Sequence, residues 1–397
     1  MPANSNKGWT DKVIGTITKN ARSDAHKAMS ASLKTASRLT ENWTWIDFCD
    51  PHLRQPCLAL EWLFGSRGLL CGRMMKMEAL EGVGKSSLCY MFHGMAQQQG
   101  CFCWHGESED AASPPDYIAK FGCNPTELLL QQPGSLERSF EAMEMVIKNI
   151  RTDIDPAGDH PILASMDSIS GFGSDAQMDD AGNNPDGNAG LGAHARAVSR
   201  WFRDRGYILE KQRVVLLATT QLKEKINTAG FTPQTGAGAR SGTTIAANPL
   251  NYHATWRLRM SATRLRDSNS AVDIGEKLTL LTTKNKLSPR ERALTIDHYR
   301  EAGFDMMSAT CDLLRELSPI ILPDASVFEI KQAGAYVKSP TLLGGKNVHS
   351  NRAGKQELVE DLYKNEALLM QIREALRIRG FGFAFETQYN VAEVADG

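Results

Sequence analysis

One stretch constrains the fold of this chain more than any other, and it runs from Gly72 to Phe92 with the sequence GRMMKMEALEGVGKSSLCYMF. A short apolar run, Met74 to Met77, predicts a strand, and the turn that follows carries Gly82 and Gly84. Glycine adopts backbone angles that a Cβ obstructs, so the N–H groups of such a turn can converge on an anion. A helix predicted to begin near Lys85 completes the strand–loop–helix arrangement of a phosphate-binding P-loop.

The loop supplies groups for a nucleotide and for its metal ion. The residues expected to contact the nucleotide here are Glu81, Gly82, Val83, Gly84, Lys85, Ser86 and Ser87. Lys85 is expected to reach the β- and γ-phosphates, and the Ser86 hydroxyl is expected to ligate Mg²⁺. The motif has glycine at the position of Ala79, so the entry to the loop departs from the pattern. The alternative is a chance Gly-Lys-Ser turn, which the downstream features disfavour.

Composition excludes several classes of protein. A length of 397 residues predicts two or three domains, and a net charge of −1 gives no global basic field for nucleic acid, so a DNA site must be local. The 8 cysteines include no C-x-x-C pair, which favours buried thiols in a reducing compartment. No apolar run reaches the roughly 20 residues of a membrane span, and Met1 to Lys7 lacks the apolar core of a secretion signal. We therefore expect a cytoplasmic protein without a membrane partner.

Strands alternate with helices after the P-loop. Apolar strands are predicted to end at Glu107, at Asp167 and at Gln221, with helical spacing between them. This alternation predicts an α/β fold with a mostly parallel, doubly wound sheet. Ligands of such sheets bind beyond the carboxyl ends of the strands, so these three groups are expected beside the P-loop. Two later strands, Thr255 to Met260 and Leu278 to Thr283, are expected to be antiparallel.

The polar residues at the strand ends suit nucleotide hydrolysis. Asp167, at the end of an apolar strand, has the position of a Walker B acid that holds Mg²⁺ through water. Glu107 could orient the attacking water, and Glu109 is a close rival because the run Glu107 to Asp110 contains several carboxylates. Gln221 could sense the γ-phosphate. Each of these residues could alternatively be no more than a polar strand end.

Two glycine-rich stretches, residues 170–191 and 223–248, interrupt the alternation. Long loops inside compact domains are usually functional or disordered. A helix predicted from Ala193 to Leu209 separates them, and its arginines could contact phosphate or simply face solvent. The cations in and between these stretches include Arg196, Arg200, Lys223, Lys225 and Arg240.

Three segments are predicted along the chain. Residues 1–45 read as a thinly hydrophobic helical leader that docks on a neighbouring copy of the chain. Residues 46–320 form the nucleotide-binding core. Residues 321–397 form a small C-terminal α/β module, with an amphipathic helix from about Gln356 to Ile378 and a polar tail.

In the order and spacing of its features the chain resembles the RecA family of DNA strand-exchange recombinases, most of all the divergent bacteriophage members. The features that carry the resemblance are Leu69 to Arg73, the P-loop 79–87, the strand ending at Glu107, Tyr117 to Gly122, Asp167-Ser168, Gly190-Leu191, Gln221, Asn248-x-Leu250-x-Tyr252 and Lys284-Asn-Lys286. The resemblance implies a RecA-like P-loop NTPase core that uses ATP and Mg²⁺. It also implies helical filaments on single-stranded DNA and strand exchange with double-stranded DNA, in the host cytoplasm if the protein is phage-encoded.

The resemblance also implies roles for single residues. Glu107 would be the catalytic carboxylate, Tyr117 would stack on adenine, and Gln221 would couple ATP to the second loop. Lys284 and Lys286 would reach the ATP site of the adjacent subunit, as arginine fingers do in trans. The residues assigned to DNA are Gly190, Arg196, Arg200, Lys223, Lys225, Arg240 and Asn248. Where the family often has a Lys-Phe pair after the second loop, this chain has Asn251-Tyr252, so part of the ATP-sensing relay is expected to differ.

Two other functions compete with the recombinase. A hexameric helicase or motor of the same fold would normally carry an arginine finger and a helical N-terminal domain, and the lysine pair and the short leader argue against it. A non-enzymatic ATP-switched regulator is favoured by Ala79 alone and is opposed by Lys85 and Glu107.

Overall fold

A computed structural model describes residues 44–50, 52–108, 113–175, 192–222, 247–266, 272–288 and 291–378. The chain divides into two compact units, Met1–Thr44 and Trp45–Gly397. Outside the described residues lie the predicted leader up to residue 43, most of both glycine-rich stretches, Glu109 and the C-terminal tail. The predicted domain boundary at residue 320 stays a prediction.

The described residues of the second unit form one large sheet and three small ones. The strands are β1 (Trp45–Asp47), β2 (Gly68–Leu70), β3 (Met74–Ala79), β4 (Phe102–Glu107), β5 (Leu128–Gln131), β6 (Ile162–Asp167), β7 (Val214–Gln221), β8 (Trp256–Arg266), β9 (Asp273–Asn285), β10 (Ala293–Tyr299), β11 (Gly303–Phe304), β12 (Ile320–Ile321), β13 (Val327–Phe328), β14 (Lys331–Ala333), β15 (Tyr336–Lys338) and β16 (Val348–His349). Over the described residues, the large sheet has nine strands in the order β11-β10-β9-β8-β3-β7-β6-β4-β5. The six strands from β8 to β5 pair in parallel, and β8 to β11 pair antiparallel. The predicted mostly parallel α/β fold is confirmed.

The helices of the described chain have either 12 to 14 or 5 to 7 residues. They are α1 (Leu58–Phe64), α2 (Lys85–Gln97), α3 (Pro115–Ala119), α4 (Leu136–Asn149), α5 (Ala193–Arg205), α6 (Tyr207–Lys211), α7 (Ala247–His253), α8 (Met306–Leu317), α9 (Arg352–Lys364) and α10 (Glu366–Ile378). The predicted start of a helix at Lys85 is confirmed, and Gly65 ends α1 in the left-handed conformation. No helix in the described part of the chain is both long enough and apolar enough to cross a membrane.

Helices cover both faces of the sheet because successive strand side chains point to opposite faces. On β6, Ala164 and Met166 pack into a hydrophobic cluster with residues of α4 and α5. Ser165, between them, points the other way and contacts His93 of α2. The sheet is therefore doubly wound, and the P-loop helix α2 lies on the face opposite to α4 and α5.

A second hydrophobic cluster lies among the C-terminal helices and short strands. Residues of α8, α9 and α10 pack there with Leu58 of α1 and with the short strands between residues 320 and 348. The sheets β12-β13 and β14-β15-β16 are both antiparallel. The helices and short strands after residue 320 therefore share one apolar cluster with α1 and α8.

Three boundaries differ from those predicted. The helix expected over 356–378 is two helices, α9 and α10, because Asn365 leaves the helical conformation and its side chain accepts a hydrogen bond from Leu368 N at 3.1 Å. The helix expected over 193–209 is interrupted at Gly206. The second glycine-rich stretch ends earlier than expected, since α7 begins at Ala247.

Candidate active site

The P-loop joins β3 to α2 through residues that need unusual backbone angles. Gly82 and Gly84 have φ of 72° and 86°, a region that costs L side chains free energy. Ala79, by contrast, is the last residue of β3 and pairs with Gln221 of β7 in extended conformation. Alanine fits this position, so the departure from the motif does not distort the loop. The Lys85 amine donates to Leu80 O at 2.9 Å and thus lies over the loop.

Two carboxylates meet at the ends of adjacent strands. Glu107 of β4 and Asp167 of β6 are directly opposite each other in register, and their exposed fractions are 6% and 4%. Thr219 of β7 donates to Asp167 Oδ1. Asp167 Oδ2 has no hydrogen-bond partner among the described residues. Buried carboxylate oxygens are normally satisfied, so this oxygen fits a hydrated Mg²⁺ or another cation.

A histidine joins this pair of carboxylates. One ligand atom each from His105, Glu107 and Asp167 lies within 4.8 Å of the others, and all three residues are buried. Sequence reasoning did not assign a role to His105. The signal was available, because a histidine directly follows the apolar run Cys101 to Trp104 within a predicted buried strand, but two of its partners are distant in sequence.

Gln221 connects the third strand end to the P-loop. Its side chain donates to Glu81 Oε2 at 3.2 Å, and its backbone N–H donates to Ser170 Oγ at 2.9 Å. The next residue, Leu222, donates from its N–H to Ala79 O at 2.8 Å. The start of the first glycine-rich stretch, the start of the second and the phosphate loop are thus directly linked through hydrogen bonds.

Tyr117 lies beside the P-loop helix. Its hydroxyl and the Ser87 hydroxyl are 2.7 Å apart, and its ring meets Tyr90 edge-on with centroids 6.4 Å apart. Tyr117 is half-buried on α3, so part of the ring remains accessible to a base. The structure therefore brings Tyr117 to the P-loop, and its predicted contact with adenine stays a prediction.

Lys284 and Lys286 lie at the end of β9, next to α7. The Lys284 amine donates to Asn251 O at 2.5 Å and to Tyr252 O at 3.1 Å, at the carboxyl end of α7. Burial, followed by the charges of Lys286 and Arg257, lowers the pKa of Lys284. Lys286 is exposed. Within one subunit, Lys284 thus caps the helix that follows the second glycine-rich stretch.

Of the predicted DNA contacts, Arg196 and Arg200 lie exposed on α5, and Arg200 is 3.8 Å from Asp204. Asn248 lies in α7. Gly190, Lys223, Lys225 and Arg240 lie outside the described residues. The predicted DNA roles therefore stay predictions.

Comparison with known proteins adds the family to this geometry. The family model of the RecA N-terminal domain matches residues 52–305. This chain belongs to the RecA family. Among its RecA-family relatives, protein RecA of Bacillus licheniformis is 25% identical over 321 residues, which cover 81% of this chain and 80% of the relative. Protein RecA of Laribacter hongkongensis is 24% identical over 367 residues, 90% of this chain and 92% of the relative. Protein RecA of Thermus thermophilus is 26% identical over 318 residues, 80% and 82% of the two chains.

The region matched to the RecA N-terminal domain contains the whole candidate site. It spans the P-loop, the three polar strand ends and the lysine pair at 284 and 286. The predicted RecA family is confirmed, and the closer likeness to its phage members stays a prediction.

Proposed function

We propose that this RecA-family protein is an ATP-dependent recombinase that forms helical filaments on single-stranded DNA and catalyses homologous pairing and strand exchange. The observation that carries the proposal is the pair of buried carboxylates, Glu107 and Asp167, at adjacent strand ends. They lie on the sheet edge from which the P-loop leaves β3, inside the segment that matches the RecA N-terminal domain. Hydrolysis of ATP requires these parts together.

In the proposed reaction, the P-loop amides and Lys85 bind the phosphates and neutralise charge that develops on the γ-phosphoryl oxygens. Glu107 orients the attacking water and accepts its proton as the water oxygen bonds to phosphorus and the bond to the β-phosphate oxygen breaks. Ser86 and Asp167 would hold Mg²⁺, which would offset the negative charge of the phosphates. Tyr117 provides a ring for adenine.

Coupling to DNA would pass through the segments that follow β6 and β7. Gln221 contacts both the P-loop and Ser170, so a γ-phosphate that moves Gln221 would shift the starts of both glycine-rich stretches. Backbone amides and a few cations in these stretches suit single-stranded phosphates. The proposed DNA contacts are Gly190, Arg196, Arg200, Lys223, Lys225, Arg240 and Asn248.

The first experiment measures ATP hydrolysis with and without long single-stranded DNA, with negative-stain electron microscopy of the same samples. We expect strong stimulation by DNA and helical filaments from the wild type. We expect Glu107→Gln to lower kcat by about 100-fold or more while filaments persist, because the water loses its base. Lys85→Ala should abolish filaments that depend on ATP.

The same experiment distinguishes the recombinase from the competing functions. Hydrolysis that ignores DNA, or rings in place of filaments, would contradict the recombinase and favour a helicase or motor of the same fold. A strand-exchange assay with homologous double-stranded DNA completes the test. Filaments that never exchange strands would restrict the proposal to DNA-dependent ATP hydrolysis.

A further inference from the structure

Three polar side chains lie completely buried between helix α2 and the sheet. They are His93 of α2, His105 of β4 and Ser165 of β6, each with an exposed fraction of 0%. Buried polar groups lower stability unless they are hydrogen-bonded, so such a cluster calls for a full account of its donors and acceptors. The nucleotide-binding roles proposed above use none of the three.

The three side chains form a continuous chain of contacts that ends at Glu107. His93 Nε2 is 2.7 Å from Ser165 Oγ, and Ser165 Oγ is 2.7 Å from His105 Nδ1. The other ring nitrogen of His105, Nε2, is 3.4 Å from Glu107 Oε2. His105 and Glu107 are two residues apart on β4, so their side chains share one face of the sheet.

The positions of the protons on His105, Ser165 and His93 can be deduced by starting from Glu107, the carboxylate at the end of this chain of contacts. An ionised Glu107 only accepts hydrogen bonds, so His105 Nε2 carries the proton. In a neutral imidazole Nδ1 then accepts from the Ser165 hydroxyl, and Ser165 Oγ accepts from His93 Nε2–H. This direction leaves His93 Nδ1, which has no partner among the described residues, with a lone pair only.

Hydrogen bonds that run in the opposite direction, from His105 to Ser165 and on to His93, are less favourable. A doubly protonated His105 would donate to Ser165, Ser165 would donate to His93 Nε2, and His93 would bury an N–H without an acceptor. Orphaned buried N–H groups are rarer than under-satisfied acceptors. It would also place a second charge in the buried site. Burial, followed by the neighbouring His105, holds the pKa of His93 well below its ordinary value, so His93 is neutral in either case.

We propose that His105 is a positioning residue for the Glu107 carboxylate, and that Ser165 and His93 fix the tautomer and ring orientation of His105. The proposal rests on the catalytic role proposed for Glu107. By contacting Oε2, His105 limits rotation of the long glutamate side chain and fixes the direction in which the carboxylate faces the water. A displacement of about 1 Å in such a group costs on the order of 100-fold in rate.

A metal ion bound by His105, Glu107 and Asp167 would be a different arrangement of the same groups. Metal coordination by His105 Nε2 requires a lone pair there, which moves the proton to Nδ1. Ser165 would then accept from His105 rather than donate to it. The tautomer of His105 therefore separates the two arrangements.

The kinetic test compares two amides at position 105. The glutamine of His105→Gln places its amide nitrogen near the position of Nε2 and can still donate to Glu107, whereas the asparagine of His105→Asn reaches only the position of Nδ1. We expect His105→Asn to lower kcat by about 10- to 100-fold with little change in KM for ATP. We expect His105→Gln to recover most of the activity. Filaments formed with a non-hydrolysed ATP analogue should be normal for both.

Control variants distinguish a failure of the proposed role of His105 from a failure of the proposed role of Glu107. His160→Asn makes the same substitution outside the chain of contacts, next to the start of β4, and should retain wild-type kcat. Glu107→Gln is measured in parallel. If Glu107→Gln hydrolyses ATP as the wild type does, the proposed role of Glu107 fails. If Glu107→Gln is inactive while His105→Asn equals the wild type, only the positioning role of His105 is refuted.

A spectroscopic test does not depend on activity. Protein with ¹⁵N-labelled histidine is examined by NMR, and the His105 signals are assigned by their loss in His105→Gln. We expect neutral His93 and His105 rings that carry their protons on Nε2. Ser165→Ala should allow the second tautomer of His105 to appear. A wild-type His105 that carries its proton on Nδ1, with or without added Mg²⁺, would overturn the proposal in favour of metal coordination.

Discussion

Two glycines of the P-loop have backbone angles that other residues avoid. At Gly84 (φ 86°), an added Cβ would come no closer than 3.9 Å to any neighbour, so the requirement for glycine is one of backbone conformation rather than of space. The N–H groups of the loop converge only while this conformation lasts. At the residue scale, the site therefore depends on backbone angles as much as on Lys85.

Gly84→Ala tests this requirement against a matched control. Gly134 also has a positive φ, 67°, and an added Cβ there would have no atom within 4 Å, but this glycine lies between β5 and α4 and is not part of the P-loop. Both alanine variants should lose about 1 kcal/mol of free energy of unfolding, since the left-handed conformation is equally unfavourable for each. Only Gly84→Ala should also lose ATP affinity, because the N–H groups of the P-loop would no longer converge on the phosphates. We expect a loss of tenfold or more in isothermal titration calorimetry, which corresponds to about 1.4 kcal/mol of binding free energy. Equal ATP affinity in the two variants would contradict the argument.

At the scale of single elements, strand β3 carries a buried ionic network behind the P-loop. The Lys76 amine donates to Glu78 Oε2 at 2.8 Å and to Asn251 Oδ1 at 3.0 Å, and Arg259 of β8 donates to Glu78 Oε1 at 2.8 Å. Burial lowers the pKa of Lys76. Burial alone would raise the pKa of Glu78, but the hydrogen bonds and charges of Lys76 and Arg259 outweigh it and lower that pKa. The network ties β3 to β8 and to α7.

Removing one charged partner of this network should lower the free energy of unfolding more than removing two. Glu78→Met leaves Lys76 buried without its counter-charge and should lower the free energy of unfolding by about 3 kcal/mol, as measured by urea unfolding. In Lys76→Met/Glu78→Met the remaining Arg259, whose side chain is 38% exposed, can turn to water. The double variant should therefore be more stable than Glu78→Met. A double variant that is the less stable of the two would mean that the network contributes through packing rather than charge.

The elements that the sequence predicted correctly are those with a strong local pattern. Apolar runs that end at Glu107, Asp167 and Gln221 identified three parallel strands and the edge at which their polar ends meet. Helix α7 has only seven residues and follows a glycine-rich stretch, so its sequence is too short to show the helical periodicity of apolar residues. The hydrogen-bonded chain from His93 to Glu107 was missed because its members come from three separate segments. A sequence shows that a polar residue interrupts an apolar run, but the partner that satisfies it depends on tertiary contacts.

At the scale of the whole molecule, Lys284 has two roles to reconcile. In one subunit it donates to two carbonyls at the end of α7, which is the position of a helix cap. The resemblance to recombinases assigns it, with Lys286, to the ATP site of an adjacent subunit. A contact of this kind is head-to-tail, so each site would combine the P-loop of one subunit with the lysines of the next.

Mixing two inactive variants distinguishes the cap from the contact in trans. Glu107→Gln lacks the catalytic carboxylate beside the P-loop but should still form filaments, and Lys284→Ala/Lys286→Ala lacks the lysine pair, so each alone should show little DNA-stimulated hydrolysis. In a 1:1 mixture, roughly a quarter of head-to-tail junctions would join an intact P-loop and Glu107 to an intact lysine pair, so activity should return to about a quarter of the wild-type rate. A mixture of Lys85→Ala with Glu107→Gln is the control, because both lesions lie on the same side of the junction and no junction would be complete. If Lys284 acts only as the cap of α7, the double variant is defective within its own subunit, and mixing restores no activity.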